Sequence, residues 1–518
     1  MTTSMVMDII GNAVFILPVI TTLFLLIILL YIYNEHQLHG KKYHPIGGTV
    51  LNMLINYKRL HHYMSDLSAK YKTYRLLSPF RNEVYTSDPA NVEYILKTNF
   101  ENYGKGAYLY NTNKELLGDG IFAVDGDKWR EQRKVSSSQF SMKVLRDFST
   151  IIFKKYAIKL GNILSEAATS KQKMDINELI MKATMDSVFK VGFGIDLENM
   201  SGTSEEGIAF SSAFDNANES IMRRHVDSTW KIKKFLNVGS ESELKRSIKL
   251  IDDFVYKLIQ MKSKQMHDST TDDISLKKED ILSRFMQTND RDTKYLRDIV
   301  LNFLLAGKDT IAITMTWFIY MLCKHPDVQD KVAKEIKEAT NVNEQDDITN
   351  VADFASCVTE DALQKLNYLH ATLTETMRLY PAVPMDPKIC YSDDVLPDGY
   401  NVKKGDMVTY MPYAMGRMKY LWGEDANEFK PERWLDHTGV FHPENPFKFT
   451  VFQAGPRICL GRDFAYRFLK IFSSILLGCF VFKLSDENKV ASYKTTINLS
   501  IDGPLHIFVS FRSALAKS

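Results

Sequence analysis

The chain has 518 residues, 45% of them apolar and 25% charged, ordinary proportions for a globular protein with an extensive core. A net charge of +2 and the lack of any arginine-rich tract argue against a dedicated nucleic-acid surface. Five cysteines, Cys323, Cys357, Cys390, Cys459 and Cys479, are odd in number and lack C-x-x-C spacing, which fits a reducing compartment and neither a disulfide framework nor a zinc site.

Between Asp8 and Glu35 no charged side chain occurs, and the run Val14 to Ile32 is mostly Leu, Ile, Val and Phe. That run is long enough to cross a bilayer core of roughly 30 Å as a helix. A cleaved leader would start basic, carry a shorter apolar run and end at small residues. This stretch starts at Asp8, ends in Tyr31-Ile32-Tyr33 and then meets Lys41 and Lys42. Residues 9–33 are therefore expected to be a retained transmembrane helix. Residues 34–48, with Pro45, Gly47 and Gly48, form a linker, and 49–518 a catalytic domain. The basic flank places that domain in the cytosol.

Alternation of β-branched and aromatic residues with polar ones predicts strands from Tyr74 to Ser87, and Asn91 to Asn99 reads as helix. Gly118-Asp119-Gly120-Ile121-Phe122-Ala123 has the form G-x-G-x-x-A. A dinucleotide fingerprint should leave an apolar strand and open an apolar helix. Here Asn113-Lys114-Glu115 precedes it and Asp125-Gly126-Asp127-Lys128 follows, so a loop is expected. Trp129 and Arg133, four residues apart, share one helix face. An indole N–H beside a guanidinium suits a carboxylate, although alone such a pair is more often a surface contact. Residues 141–290 read as successive amphipathic helices whose apolar positions are core by default.

A helix from about Lys294 to Cys323 is apolar for most of its length, which predicts burial on nearly all sides. Ala306-Gly307-Lys308-Asp309-Thr310 interrupts it. A buried Asp309 must be paired, solvated or functional. Gly307 leaves room beside the helix, and Thr310 can bond back to a carbonyl one turn earlier. A hydroxyl and a carboxylate there suit a water-fed proton relay; a kink with a lysine–aspartate pair is the plainer alternative.

Glu375 and Arg378 are three apart on a helix expected to begin near Leu363. The apolar stop Leu379-Tyr380-Pro381 suggests that the pair is buried, and Arg433 of Pro431-Glu432-Arg433-Trp434 supplies a further partner. Turns at Asp398-Gly399, Lys404-Gly405 and Asp502-Gly503 suggest small hairpins, the last within Leu499 to Phe511. Before that last hairpin comes Phe452-Gln453-Ala454-Gly455-Pro456-Arg457-Ile458-Cys459-Leu460-Gly461, ahead of an apolar helix from Arg462 to Phe482. Gly455, Pro456 and Gly461 permit tight turns and a close approach to a flat partner. A thiol at the mouth of a helix is favoured as thiolate by the helix's positive end and by convergent N–H groups. A thiolate is a strong axial ligand for haem iron. A buried structural cysteine beside a turn is the bland alternative.

The spacing F-x-x-G-x-R-x-C-x-G, met by Phe452, Gly455, Arg457, Cys459 and Gly461, resembles the haem-binding signature of the cytochrome P-450 superfamily. The motifs at Trp129–Arg133, Ala306–Thr310, Glu375–Arg378 and Pro431–Trp434 stand in that family's order. The stretches Arg59–Arg81, Leu116–Phe140 and Asp394–Met418 look most like plant fatty-acid ω-hydroxylases. The resemblance implies a mainly helical fold with a minor β region, preceded by the transmembrane helix, and haem held through the Cys459 thiolate. It implies further that Trp129, Arg133 and Arg457 bind the propionates, and that Phe452, Gly455, Gly461 and Ala306 contact the cofactor. Asp309 and Thr310 would relay protons, while Glu375, Arg378 and Arg433 would hold the cysteine loop. Substrate would meet Leu109–Leu117, Phe303–Thr310, Ala382–Met385 and Ser500–Gly503, mostly apolar as an alkyl chain requires. Ile311 stands where many members carry Thr or Ser.

The implied activity is insertion of one oxygen atom of O2 into a C–H bond of a hydrophobic substrate such as a fatty acid. The implied setting is the endoplasmic reticulum membrane, single-pass, with NADPH-cytochrome P-450 reductase, or cytochrome b5, as electron donor. The chain offers no credible flavin or nicotinamide site of its own. Two alternatives stay open: a haem-thiolate isomerase or dehydratase fed by lipid hydroperoxides, and a non-catalytic haem sensor. Asp309-Thr310 speaks against both.

Overall fold

The computed structural model describes residues 21–29, 53, 55–78, 81–140, 143–227, 229–267, 280–288, 292–342, 350–495 and 498–512. Helices of twelve residues or more are, in chain order, α1 (Leu60–Tyr71), α2 (Gly106–Leu117), α3 (Gly126–Phe140), α4 (Lys143–Ser170), α5 (Ile176–Phe193), α6 (Glu205–Val226), α7 (Ser240–His267), α8 (Thr293–Lys324), α9 (Pro326–Thr340), α10 (Asn367–Leu379) and α11 (Arg462–Cys479). Ten short strands accompany them: β1 (Thr73–Ser78), β2 (Arg81–Thr86), β3 (Tyr103–Gly104), β4 (Met174–Asp175), β5 (Asp386–Cys390), β6 (Asp394–Val395), β7 (Asn401–Val402), β8 (Met407–Tyr410), β9 (Phe480–Leu484) and β10 (His506–Phe511). The expected mainly helical fold with a minor β region is what the described residues form. Of the expected anchor at 9–33, residues 21–29 are helical with exposed Leu23, Phe24, Leu25, Leu26, Ile27 and Leu29. Its remainder, and the linker 34–48, lie outside the described residues.

The sheets form three groups. One has the order β1-β2-β8-β5-β3, with β2 and β8 parallel and the other neighbours antiparallel. The second is β4-β10-β9, and the third is the hairpin β6-β7 around Asp398-Gly399. β10 pairs with β9, with Val509 opposite Phe482. The hairpin expected within Leu499–Phe511 is thus corrected: Tyr493 bridges Ile501 ahead of Asp502-Gly503, and among the described residues no strand pairs across that turn. The helix expected to reach Phe482 ends at Cys479, because Phe480, Phe482 and Leu484 alternate inward with period two and suit a strand.

The main core gathers α4, α5, α7, α8, α10 and α11. α8 runs through it. Asp292 caps its first turn, accepting from the Lys294 N–H at 3.2 Å. From Leu296 to Leu322 every side chain is buried except at Leu305, Ala306, Gly307 and Thr310. Ala306 and Thr310, one turn apart, share a face, so one stripe of a buried helix is open.

α10 begins at Asn367 and not near Leu363, which belongs to the separate short helix Glu360–Lys365. The break is tertiary in origin. Glu335 on α9 accepts the N–H groups of Tyr368 and Leu369 at 2.7 and 2.8 Å, satisfying the first turn of α10. Further along α10 stand Glu375 and Arg378, both fully buried. Arg378 Nε and Nη2 each donate to Glu375 at 2.7 Å. Its remaining donors reach the carbonyls of Gly416, Ala426 and Glu428. Glu375 also accepts from the Lys430 N–H (2.9 Å), from Trp434 Nε1 (2.8 Å) and from Arg433 Nε (3.4 Å). Arg433 continues to Asp425 and to the Trp422 carbonyl. One carboxylate thereby joins α10 to the segment running from 416 to 434.

Glu375→Ala leaves Arg378 and Arg433 buried without that anion, a loss of about 3–5 kcal/mol from a folding free energy of about 5–15 kcal/mol. The expected outcome is a strongly lowered thermal midpoint and little soluble protein. A variant that melts at the wild-type temperature would show the network to be dispensable.

Candidate active site

The segment before α11 is a sequence of tight turns. The Gln453 N–H donates to the Thr450 carbonyl at 2.9 Å, and the Cys459 N–H to the Phe452 carbonyl at 2.8 Å. Gly455 has φ +64°, and its missing side chain is where the Leu96 carbonyl sits. No residue with a Cβ can occupy that position without moving the backbone of 94–98. The Cys459 side chain is open to solvent on one side and surrounded by protein on the others. The Gly461 N–H points at its sulfur, and Arg133 and Arg462 contribute positive charge. Burial nevertheless dominates these effects and raises the thiol's pKa. The helix-mouth geometry expected to favour thiolate is present. A coordinating metal ion deprotonates a thiol outright.

Beside Cys459 lies a cluster of cations. Trp129 is buried, with the Phe100 ring 5.5 Å away and the Arg457 guanidinium stacked over it at 4.4 Å. Arg457 pairs with Asp125 and donates to the Val124 carbonyl at 3.3 Å, while its buried Nε has no partner. Asp125 is held by the N–H groups of Lys105 (2.8 Å) and Gly106 (2.9 Å) and by the Tyr391 hydroxyl (2.7 Å). Burial pushes its pKa up, but these donors and Arg457 outweigh it and the net shift is down. Lys105 and Lys388 flank Asp386 at 3.4 and 2.8 Å, and Tyr410 donates to it at 2.8 Å. Burial lowers the Lys388 pKa to about 7 despite Asp386, with Lys105 and Arg457 pressing the same way. Arg133 pairs with no carboxylate among the described residues and lies within electrostatic reach of both Cys459 and Arg457.

These residues fit haem. Arg133, Arg457, Lys105 and Lys388 face two carboxylates, Asp125 and Asp386, so cations are in excess. Haem carries two propionates. The unpartnered Arg457 Nε and the depressed Lys388 pKa are both marks of a missing anion. Trp129, Arg133 and Arg457 stand together. Lys105, Lys388, Asp125 and Asp386 were not legible in the sequence. The pairing of β3 with β5, Gly104 opposite Ile389, brings Lys105 and Lys388 together from 283 residues apart.

The open stripe of α8 carries the predicted pair. Thr310 is half-buried, and its hydroxyl donates to the Ala306 carbonyl at 2.6 Å, the back-bond expected for it. Asp309 is buried and faces α6, paired with Lys308 at 3.0 Å and accepting from Asn218 at 3.2 Å. The plainer lysine–aspartate pair is therefore present, and the hydroxyl and carboxylate point to different sides. Gly307 does not leave free room: a Cβ there would stand 3.0 Å from Val188 on α5. One turn before the stripe, Phe303 meets Phe140, Phe193 and Phe464 with ring centroids 5.7–6.3 Å apart. Phe464 sits in the first turn of α11, so this contact ties the open stripe to the helix that follows Cys459.

The G-x-G-x-x-A segment is a turn after α2, as the sequence context predicts. Asp298 accepts the Asp119 N–H at 2.9 Å, and Asn302 donates to the Leu117 carbonyl at 2.8 Å. Those two side chains fill the space that a Cβ at Gly118 or Gly120 would need. The glycines let the loop lie against α8, and Phe122 is left 39% exposed. On another side, the Leu499 N–H donates to the Ala382 carbonyl at 3.0 Å, joining two of the expected substrate-facing segments.

A cysteine loop at a helix mouth, a propionate-sized charge deficit and an open stripe on a buried helix define a haem-thiolate oxygenase centre. The sequence profile of the cytochrome P450 family matches residues 38–507. The chain belongs to the cytochrome P450 family, and is accordingly a monooxygenase that binds haem through a cysteine thiolate. It is 49% identical to cytochrome P450 704C1 of Pinus taeda, over 89% of this chain and 91% of that protein. It is 44% identical to cytochrome P450 704B1 of Arabidopsis thaliana, over 94% and 97%. Cytochrome P450 86B1 of Arabidopsis thaliana is 35% identical over 93% and 88%.

Cys459→Ala is expected to abolish thiolate ligation. The reduced carbon-monoxide complex checks this, because only thiolate ligation gives its strongly red-shifted Soret band. Retention of that band in the variant would remove Cys459 from the site.

Proposed function

We propose that the chain is a membrane-bound hydroxylase of long-chain fatty acids, attacking the ω or an in-chain carbon with electrons from an NADPH-dependent reductase. The observation that carries this reading is the stripe at Ala306 and Thr310, open on an otherwise buried helix. Haem held through the Cys459 thiolate would supply reductive activation of O2. The protein's own work is positioning and protons. Phe303 and Phe122 contribute apolar walls that exclude water, as an alkyl chain needs. Thr310 presents a hydroxyl on the open stripe, where it can orient a water. Asp309 is the nearest acid in sequence and the proposed source of protons. Lys308 and Asn218 hold that carboxylate, one at each oxygen.

Membrane attachment is proposed through residues 9–33, supported by the exposed apolar side chains of 21–29. The short helix Trp230–Leu236 adds a second contact. It exposes Ile232, Phe235 and Leu236 among Lys231, Lys233 and Lys234, a pattern suited to an anionic lipid surface. Deleting Met1–Tyr33 should release part of the protein from membranes at high salt, with a remainder held by that helix. Full release, measured by sedimentation, would remove the second contact from the proposal.

The substrate reading is tested with microsomes, added reductase and a panel of fatty acids of graded length, read by mass spectrometry. Product that needs both O2 and NADPH is the expected result. Product formed from lipid hydroperoxides without reductase would overturn it. Within the same assay, Thr310→Val removes one hydroxyl at nearly constant shape. Loss of a well-placed donor costs about 2.7–4 kcal/mol in barrier, so product per NADPH should fall tenfold or more. NADPH oxidation should persist, with the missing electrons recovered as hydrogen peroxide. Unchanged coupling would return Thr310 to a structural role.

A further inference from the structure

We propose that Lys308 is a positioning residue for Asp309, acting as the shared cation of a latch between α6 and α8; this rests on the monooxygenase reading above. Lys308 is the residue of the open-stripe segment with no role so far, and its environment is unusual. Its side chain is 2% exposed, yet it ion-pairs with two carboxylates, Asp309 on its own helix and Asp215 on α6. Asp215 is 52% exposed at the side chain, so the latch reaches the surface at that end. The Phe214 ring lies 5.8 Å from the ammonium. Asn218, one turn beyond Asp215, donates to the second oxygen of Asp309.

Phe214, Asp215 and Asn218 thus present one face of α6 to Lys308 and Asp309. Both oxygens of Asp309 are engaged, one by Lys308 and the other by α6 itself. A buried charge-assisted pair is short and directional, so it fixes where the carboxylate points. It points at α6, away from the stripe that Thr310 faces. The two carboxylates together outnumber the one ammonium, and that imbalance keeps Lys308 charged. Asp215 also competes with Asp309 for the same three donors, which keeps the inner contact from being the sole claim on Lys308. The side of Asp309 that a proton can leave from is therefore set by residues on α6. Movement of α6 relative to α8 has to alter this acid before it alters anything nearer to the stripe.

The test compares Lys308→Met, Lys308→Arg, Asp215→Asn and Asn218→Ala in the haem-loaded, full-length protein. Two quantities are read: peroxide formed per NADPH, and hydrogen–deuterium exchange of residues 211–222 in the resting enzyme. Lys308→Met should raise the peroxide fraction at least threefold with its thiolate spectrum retained, and Lys308→Arg should restore it to within twofold of wild type. Asn218→Ala buries no new charge and frees one oxygen of Asp309, so it should raise peroxide about twofold even if Lys308→Met fails to fold. Asp215→Asn should speed exchange of 211–222 severalfold while leaving coupling within twofold, because the inner pair survives. A purely structural lysine would instead lower haem occupancy and thermal midpoint, with coupling normal in the loaded fraction. That result, or wild-type coupling in Asn218→Ala, overturns the proposal. A wild-type enzyme that forms no O2-dependent product would defeat the monooxygenase reading instead, and the exchange result would still judge the latch.

Discussion

The 416–434 segment is tied to the rest of the protein through the carboxylate of Glu375. A buried anion is tolerated only when its lone pairs are filled. Here Arg378, Arg433, the Trp434 indole and a backbone N–H fill them. The same guanidiniums then organise carbonyls at 416, 422, 426 and 428. Gly416 shows how tight the result is, since a Cβ there would collide with the Arg378 carbonyl. Phe449 packs edge-on against Trp434 with ring centroids 4.8 Å apart, at the start of the turns that deliver Cys459. The path from Glu375 to the cysteine loop is thus one of contacts, and no element along it is free to shift alone.

Charge balance explains the opposite side of the loop. Structural ion pairs in this chain are mostly closed, as with Arg75 and Asp406 or Lys262 and Asp280. The cluster around Arg457 is not. It leaves a guanidinium Nε buried without a partner and a lysine with a depressed pKa. Folding such a cluster is unfavourable until two negative charges arrive, which makes cofactor binding and local folding one equilibrium. Specificity for a dianionic macrocycle follows from the same imbalance, because a neutral one would leave the cations unmatched.

The parts legible in the sequence were those whose logic is local. Cys459 with its glycines, Glu375 with Arg378, and Thr310 bonding back to Ala306 each depend on neighbours within a few residues. The parts that were not legible are made by tertiary contacts. α10 starts at Asn367 because a glutamate on another helix caps it, and Lys388 joins the cation cluster because of a strand register. The β10 strand chose β9 over its own turn partner, since Phe480, Phe482 and Leu484 offered a buried face. Gly118 and Gly120 looked like a broken nucleotide motif. Their reason is steric, the side chains of Asp298 and Asn302 occupying the space a Cβ would need. Gly307 was read as open room for the same lack of information, and Val188 occupies it.

Burial acts with opposite consequences on the two faces of the site. At Cys459 it raises the thiol's pKa and defeats the helix mouth and two arginines. A bound metal ion is what deprotonates such a thiol. At Lys308 burial acts the other way on the outcome. It penalises the ammonium, yet Asp309 and Asp215 outweigh that penalty and hold the charge in place. What differs is the count of partners: Cys459 has no full counter-charge in contact, whereas Lys308 has two. A site that must keep an acid oriented through many turnovers needs its counter-charge built in. Lys308 meets that demand between α6 and α8.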